Sequence, residues 1–327
     1  MRDAANRGAE IKAAAQLAAK GLPEQVAVGT VYVPSCHGSH QIPIRRFVPR
    51  DVESEEAEGM PPPPTVIQFH GGGYLVGSEK SGDCTGARMA ADARVTLLSV
   101  IYRHTPEHAH PAQHDDAWDA FEYFCAYPEK LGVSLERGLS VFRTSAGGGL
   151  AAGLVYRELQ RARAEPERRR VIRGAVLFAP WLLHIDAYPF ERFKSREVTS
   201  KEQCRDAPVL PWKTLKMLSD LVAAPVDDVL FNIPSQPADQ LRGWPRTAFL
   251  VCGLDPLRED SLLFASNLEE LQTPTSVDIF TGLPHGFQNW DDLTATAESE
   301  RVLKDAVRWS LEMNAWEKKD PKGWREH

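Results

Sequence analysis

Three features of the chain hold residue types that together could break an acyl bond. The first is Thr144-Ser145-Ala146-Gly147-Gly148-Gly149, set between a β-rich run and an apolar helical pattern. A sharp strand-to-helix turn lifts a Ser hydroxyl out of a sheet and above the first turn of the helix. The free N–H of Ala146 would then face the point where an oxyanion develops, with the helix dipole assisting. A small-residue junction that cradles phosphate is the other reading. Against it, G-x-x-x-x-G-K is absent and the spacing does not fit G-x-G-x-x-G. The second stretch, His70-Gly71-Gly72-Gly73-Tyr74, directly follows a short apolar run. Consecutive glycines let N–H groups turn into a cavity that a β-carbon would block. Taken alone, it could equally be a Gly-rich turn with no ligand.

The third feature is a pair, Asp255 in Gly253-Leu254-Asp255-Pro256-Leu257 and His285 in Leu283-Pro284-His285-Gly286-Phe287. A Ser hydroxyl is too weak an acid to attack a carbonyl unaided. An imidazole must take its proton, and a carboxylate must fix the tautomer of that imidazole. A lone His after a strand is more often structural. With the glycine turn, the elbow and the acid all in order, the residues read as Ser145 nucleophile, His285 general base and Asp255 orienting acid.

Such residues must be held at strand ends, and the chain supplies the strands. Residues 65–69, 95–102, 139–143, 175–178, 248–252 and 277–280 read as β-strands. Helices are expected over 112–127, from Ser145 to about Ala164, and over 259–271. Strands alternating with helices imply a mostly parallel sheet covered on both faces. Ahead of them lie a helix over about 8–20, with Ile11, Ala14, Ala15 and Ala18 on one face, and strands over 26–33 and 42–48. The acidic stretch 51–58 and the prolines 61–64 read as a solvated loop. Residues 185–244 break the rhythm, with a helical pattern over 212–222, and the sheet pattern resumes after them. The expectation is one domain over residues 1–327, with a cap from about 1–24 and 185–244. Tyr74, Leu215, Leu218 and Val222 are the expected pocket side chains.

With those motifs in order, the chain resembles the hormone-sensitive-lipase-like branch of the α/β-hydrolases, from about Thr65 to the last helix. The order Ser, Asp, His is that of α/β-hydrolases. Tyr102-Arg103 with Pro106-Glu107-His108 and Pro111-Ala112 is similar to that family's Y-R-x-x-P-E-H-x-x-P-A block. Asp255-Pro256-Leu257-Arg258-Glu259-Asp260 is similar to its acid loop. The resemblance implies the α/β-hydrolase fold with a helical cap built from the N-terminal helix and the insertion. It also implies that Gly72 and Gly73, supported by His70 and Gly71, join Ala146 as oxyanion donors. One position departs. The family elbow reads G-D-S-A-G, whereas this chain has Arg143-Thr144-Ser145-Ala146-Gly147. A long cationic side chain there must escape sideways. Three outcomes stay open: a reshaped elbow, a guanidinium that binds a carboxylate or a substrate anion, and a surface-directed side chain without a role.

Composition narrows the classes. The 327 residues, 43% hydrophobic and 25% charged, suit an ordinary globular protein with room for a closed site. A formal net charge of −7 argues against nucleic acid or an anionic membrane surface as main partner. No uncharged apolar run is long enough to span a bilayer. The N-terminus lacks the pattern of a signal peptide, and Cys36, Cys84, Cys125, Cys204 and Cys252 are odd in number and scattered. Reduced thiols and a cytoplasmic address are expected. His104, His108, His110 and His114 with Asp115 and Asp116 could form a metal cluster, but they coincide with the Y-R…P-E-H block. No metal or cofactor is expected. Trp309, Trp316 and Trp324 could pack on the body or on a partner.

The expected activity is hydrolysis of a small to medium hydrophobic ester, or related acyl compound, through an acyl-enzyme. Its partner would be that small molecule, and the oligomeric state is not readable. A non-hydrolytic dehydratase or cyclase uses the same residues and stays open. A non-catalytic ligand receptor is the other rival. The plant gibberellin receptors resemble this family but lack the triad His, so an intact His285 argues against that role.

Overall fold

In the computed structural model, residues 2–52, 62–312 and 324–327 are described. Nine strands form one sheet in the order β1-β2-β4-β3-β5-β6-β7-β8-β9. They are β1 Val26–Pro34, β2 Gln41–Pro49, β3 Thr65–Phe69, β4 Thr96–Val100, β5 Leu139–Thr144, β6 Ile172–Phe178, β7 Arg246–Leu254, β8 Thr275–Pro284 and β9 Trp324–Glu326. The pairs β1–β2 and β2–β4 run antiparallel. Every other neighbouring pair is parallel.

Side chains of a strand alternate between faces, so each apolar run feeds two cores at once. Ile67, Leu98, Val141, Leu177 and Phe249 enter one, and Val66, Leu97, Phe142, Val176 and Leu250 enter the other. Burial on both faces is why these strands read as continuous apolar runs. Helices Ala112–Ala126, Ala146–Ala164 and Arg258–Glu270 cover the first face, through residues such as Phe121, Leu150 and Phe264. Helices Asp83–Ala93 and Thr294–Ser310 cover the second, through Ala87, Ala90, Val302 and Ala306.

The N-terminal helix spans Arg2–Ala19, starting earlier than its apolar pattern suggests. Its expected apolar face is also turned outward: Ile11 is 71% exposed, while Ala13 is buried. Ala13 and Leu17 pack into the second core, and polar bonds hold the helix as well. Asn6 exchanges two 2.9 Å bonds with the backbone of Gly77, and Arg2 Nη2 donates to Glu107 Oε1 at 2.8 Å.

Residues 53–61 of the expected solvated loop lie outside the described residues, as does Trp316. Pro63 and Pro64, part of the same expectation, are buried. Trp309 and Trp324 both pack on the body. The guanidinium of Arg246 lies over the Trp309 ring, and Trp324, in the edge strand β9, donates to Glu269 Oε1 at 2.9 Å. Residues 185–244 form short turns and the helix Trp212–Val222, whose inward residues Leu215, Leu218 and Val222 join the first core.

Candidate active site

Strand β5 ends at Thr144 and a helix begins at Ala146, so Ser145 is the entire turn. Its backbone is left-handed, with φ 60° and ψ −129°. A non-glycine residue in such a conformation costs on the order of 1–3 kcal/mol and persists only where its surroundings hold it. Here they do. The N–H of Ser145 donates to Phe178 O at 3.0 Å, and its carbonyl accepts from Gly149 and Trp181, both at 3.1 Å. A β-carbon on Gly147 would overlap the carbonyl oxygen of Phe69, so the elbow is pressed against the end of β3.

The glycine turn leaves that same strand end. Gly72 has φ 113°, and a β-carbon on it would overlap the carbonyl of Val76. His70 is a brace under the turn. Its Nδ1 faces Gly71 O at 2.8 Å and so carries the proton, leaving Nε2 to accept from His104 Nε2 at 3.1 Å. The ring stacks on Tyr102 at 4.3 Å, and the Tyr102 hydroxyl donates to His70 O at 2.7 Å. Burial pushes His70 down to about 3 and His104 down to about 4, so both are neutral near pH 7. Among the described residues the N–H groups of Gly72, Gly73 and Ala146 donate to no protein acceptor.

Asp255 follows β7 and His285 follows β8, and these strands are parallel neighbours. The Asp255 carboxylate is fully buried. Its Oδ1 accepts from Leu257 N at 2.9 Å, and its Oδ2 lies 2.6 Å from His285 Nδ1. That bond leaves His285 Nε2 unprotonated and able to take a proton. Asp260, one turn further along, is engaged elsewhere: it pairs with Lys201 at 3.0 Å and accepts from Leu182 and Leu183 N. No hydrogen bond joins Ser145 Oγ to His285 among the described residues. Both line one cavity of about 490 Å³, together with His70, Gly71, Gly72 and Gly73. Such bonds are often long in unliganded enzymes and tighten on substrate.

Of the expected pocket side chains, Leu218 alone is on the cavity wall. Tyr74 is 1% exposed and sits in an aromatic cluster with Tyr102, Trp181 and Phe231. Leu215 and Val222 are inward anchors of their helix, 0% and 1% exposed. The wall is instead completed by Val209, Leu210, Thr214 and Met217, with Ala5, Asn6 and Ala9 from the N-terminal helix. The apolar face of the helix holds it in place, and the flank beside that face meets the cavity. A helical period gives that flank only once the orientation of the helix is known.

Arg143 is half-buried and hydrogen-bonded within the protein. Its chain runs across Gly147, and Nη1 donates to Gln68 Oε1 at 3.1 Å. Four of the histidines and aspartates of residues 104–116 have separate partners: His104 with His70, His110 with Asp228, Asp115 with Arg157 and Asp116 with Arg103. Both ring nitrogens of His114 are buried without a hydrogen-bond partner among the described residues.

Fold and site together define a hydrolase of the α/β type, and comparison with known proteins places it further. Residues 66–289 match the family profile described as alpha/beta hydrolase fold. The chain belongs to the hormone-sensitive-lipase-like carboxylesterase family of α/β-hydrolases and is a carboxylesterase-type hydrolase. Esterase LipI of Mycobacterium tuberculosis is 29% identical over 238 residues, 72% of this chain and 68% of that protein. Versiconal hemiacetal acetate esterase of Aspergillus parasiticus is 29% identical over 242 residues, 74% and 70% of the two chains. The crystal structure of vibralactone cyclase superposes with a TM-score of 0.79 at 23% identity, over 92% of this chain and 85% of that one. At that identity the likeness is one of fold alone. The family implies a small-molecule ester as substrate. Among the described residues, no helix is long and apolar enough to cross a membrane.

Proposed function

We propose that the chain hydrolyses small to medium hydrophobic carboxylic esters by two-step acyl transfer at Ser145. His285 Nε2 takes the Ser145 proton as Oγ attacks the carbonyl carbon. The negative charge that moves onto the carbonyl oxygen meets the N–H groups of Gly72, Gly73 and Ala146. Preorganised donors of this kind are the largest single contribution to many acyl transfers. His285 then gives its proton to the departing alkoxide, leaving an acyl group on Ser145. A water deprotonated by His285 attacks that acyl group, and the carboxylic acid leaves with Ser145 reprotonated. Asp255 holds the imidazole in the required tautomer and stabilises the imidazolium between steps.

The observation that carries this reading is the 2.6 Å contact of buried Asp255 with His285 Nδ1, at the end of neighbouring strands, beside a left-handed Ser145. The N-terminal helix and residues 185–244, which wall the cavity, act as its cap and set acyl-chain preference. Ser145→Ala tests the core of the proposal. It should abolish turnover of p-nitrophenyl esters with the melting temperature retained. A fluorophosphonate probe should add its mass to the peptide holding Ser145 and to no peptide of the variant. A fully active Ser145→Ala would end the proposal.

A further inference from the structure

Arg143 occupies the wall between two cavities. It lines the 490 Å³ cavity that holds Ser145, and also an adjoining cavity of about 340 Å³. Ser81, Thr144, Gln288 and Asn289 also line both, so the second cavity, the side lobe, adjoins the first along this wall.

The guanidinium in that wall is not neutralised by protein. Its one side-chain hydrogen bond goes to the neutral Gln68, and among the described residues no carboxylate pairs with it. Its Nε is buried without an acceptor, and the Gln68 amide nitrogen beside it is buried without one too. The other cations around the side lobe differ. Arg88 is paired with Glu300, Lys12 lies 3.5 Å from Asp291, and Lys20 lies 3.9 Å from Glu300. Desolvation lowers Arg143 to about 10, which leaves it charged at neutral pH. The side chain is half-buried, and its partners, the Gln68 amide and the face of the Phe142 ring at 5.7 Å, carry no net charge, whereas a carboxylate would meet the guanidinium with paired, charge-assisted bonds. Arg143 and Ser145 line the same cavity, so one substrate can reach both.

We propose that the substrate is an ester that also carries a carboxylate, held by Arg143 in the side lobe while the ester carbonyl meets Ser145. This rests on the reading of Ser145 as nucleophile. The carboxylate could sit on the acyl chain or on the alcohol, and the same guanidinium would recognise either.

Two matched pairs separate those sources. For the acyl side, p-nitrophenyl hydrogen glutarate is compared with p-nitrophenyl pentanoate. For the leaving-group side, 4-acetoxybenzoate is compared with 4-acetoxytoluene. In at least one pair the acid-to-neutral ratio of kcat/KM should fall about tenfold or more in Arg143→Met, the effect of losing a hydrogen bond to a charged group. Arg143→Lys, which keeps the charge but not the fork, should fall less. A ratio within about twofold of the unmodified chain's in both pairs, with the variant folded by circular dichroism, overturns the proposal. The unmodified enzyme gives a second test that needs no variant. It should turn over one acid ester at least as well as the matched neutral one, whereas rejection of both acids by about a hundredfold overturns the proposal, as expected of a purely apolar pocket. Ser145→Ala, run on the same substrates, keeps the two failures apart. If it stays active, the serine mechanism and this proposal fall together. If it is dead and the ratios are flat, the role of Arg143 falls alone.

Discussion

The elbow and the segment facing it across the cavity are held by different physics. At the elbow, backbone sets every position. Ser145 is left-handed, three backbone bonds clamp it, and Gly147 admits no β-carbon against Phe69. In residues 185–244 side chains set the positions. Buried Leu215 and Val222 orient the helix Trp212–Val222, and the buried pair Lys201–Asp260 ties the segment to the helix Arg258–Glu270. A backbone device tolerates few residue types, because each alternative clashes or strains. A burial device needs only its inward face, and the flank toward the cavity is free to vary. Changes at the elbow should therefore alter rate, and changes on that flank should alter substrate ranking.

The largest effect expected from the backbone-held side is at Asp255. Asp255→Asn keeps the shape but removes the acceptor for His285 Nδ1, and kcat on a short p-nitrophenyl ester should fall on the order of 10⁴. Asp260 cannot stand in, since Lys201 and two backbone N–H groups already hold it. A loss below about tenfold would break the comparison at its strongest point. Next is Gly72→Ala. With φ at 113° and Val76 O in the way, the turn must shift and its donors with it. Loss of an oxyanion donor costs about 10² to 10³ in kcat. A loss appearing in KM alone would mean that the turn binds substrate without meeting the developing charge.

The burial-held side should respond differently. Met217→Ala or Leu218→Ala should change relative kcat/KM among acetyl, butyryl and octanoyl esters by about 10- to 200-fold, the worth of a methylene or so in an apolar pocket. Leu215→Ala, on the inward face of the same helix, should instead lower stability by about 2–5 kcal/mol in urea titrations and leave the ranking unchanged. If Leu215 and Leu218 behave alike, the helix is not divided into an anchoring face and a pocket flank.

The smallest effect concerns the brace under the glycine turn. An unfolded His titrates near ~6.5. His70 and His104 titrate near 3 and 4 in the fold. Between those values the unfolded chain takes up protons that the folded one refuses. Their contribution is therefore complete above about pH 6.5 and is lost as pH falls toward 3. Melting temperature measured from pH 7 to 4 should fall more steeply for the unmodified chain than for His104→Gln. Equal slopes would show that the pair has no part in acid sensitivity.

Legibility follows the same division. Strand β3 and the helix Trp212–Val222 match their sequence patterns residue for residue, because apolar runs and a helical period mark them. The helix Asp83–Ala93 carries no such mark. Its buried residues are mostly Gly, Ala and Cys, too small to stand out as an apolar stripe. Strand β9 is three residues long, below the length at which alternation can be seen. On the N-terminal helix the apolar stripe misled, because Ala13 and Leu17, with hydrogen bonds from Asn6 and Arg2, dock it while Ile11 faces water.

The sequence by itself determined the order of the proposed site: a glycine turn, a serine at a strand-to-helix junction, then an aspartate and a histidine after later strands. The proposed acyl transfer demands those residue types through backbone geometry and proton transfer, so few others can replace them and they can be recognised without coordinates. Only the tertiary structure decided which of Leu215, Leu218 and Val222 meets the cavity, and that Tyr74 belongs to the core. Only it decided that Arg143 runs over Gly147 to Gln68 and that, among the described residues, no carboxylate meets it. The direction of a side chain depends on what packs around it from distant parts of the chain, and local residue type does not encode that.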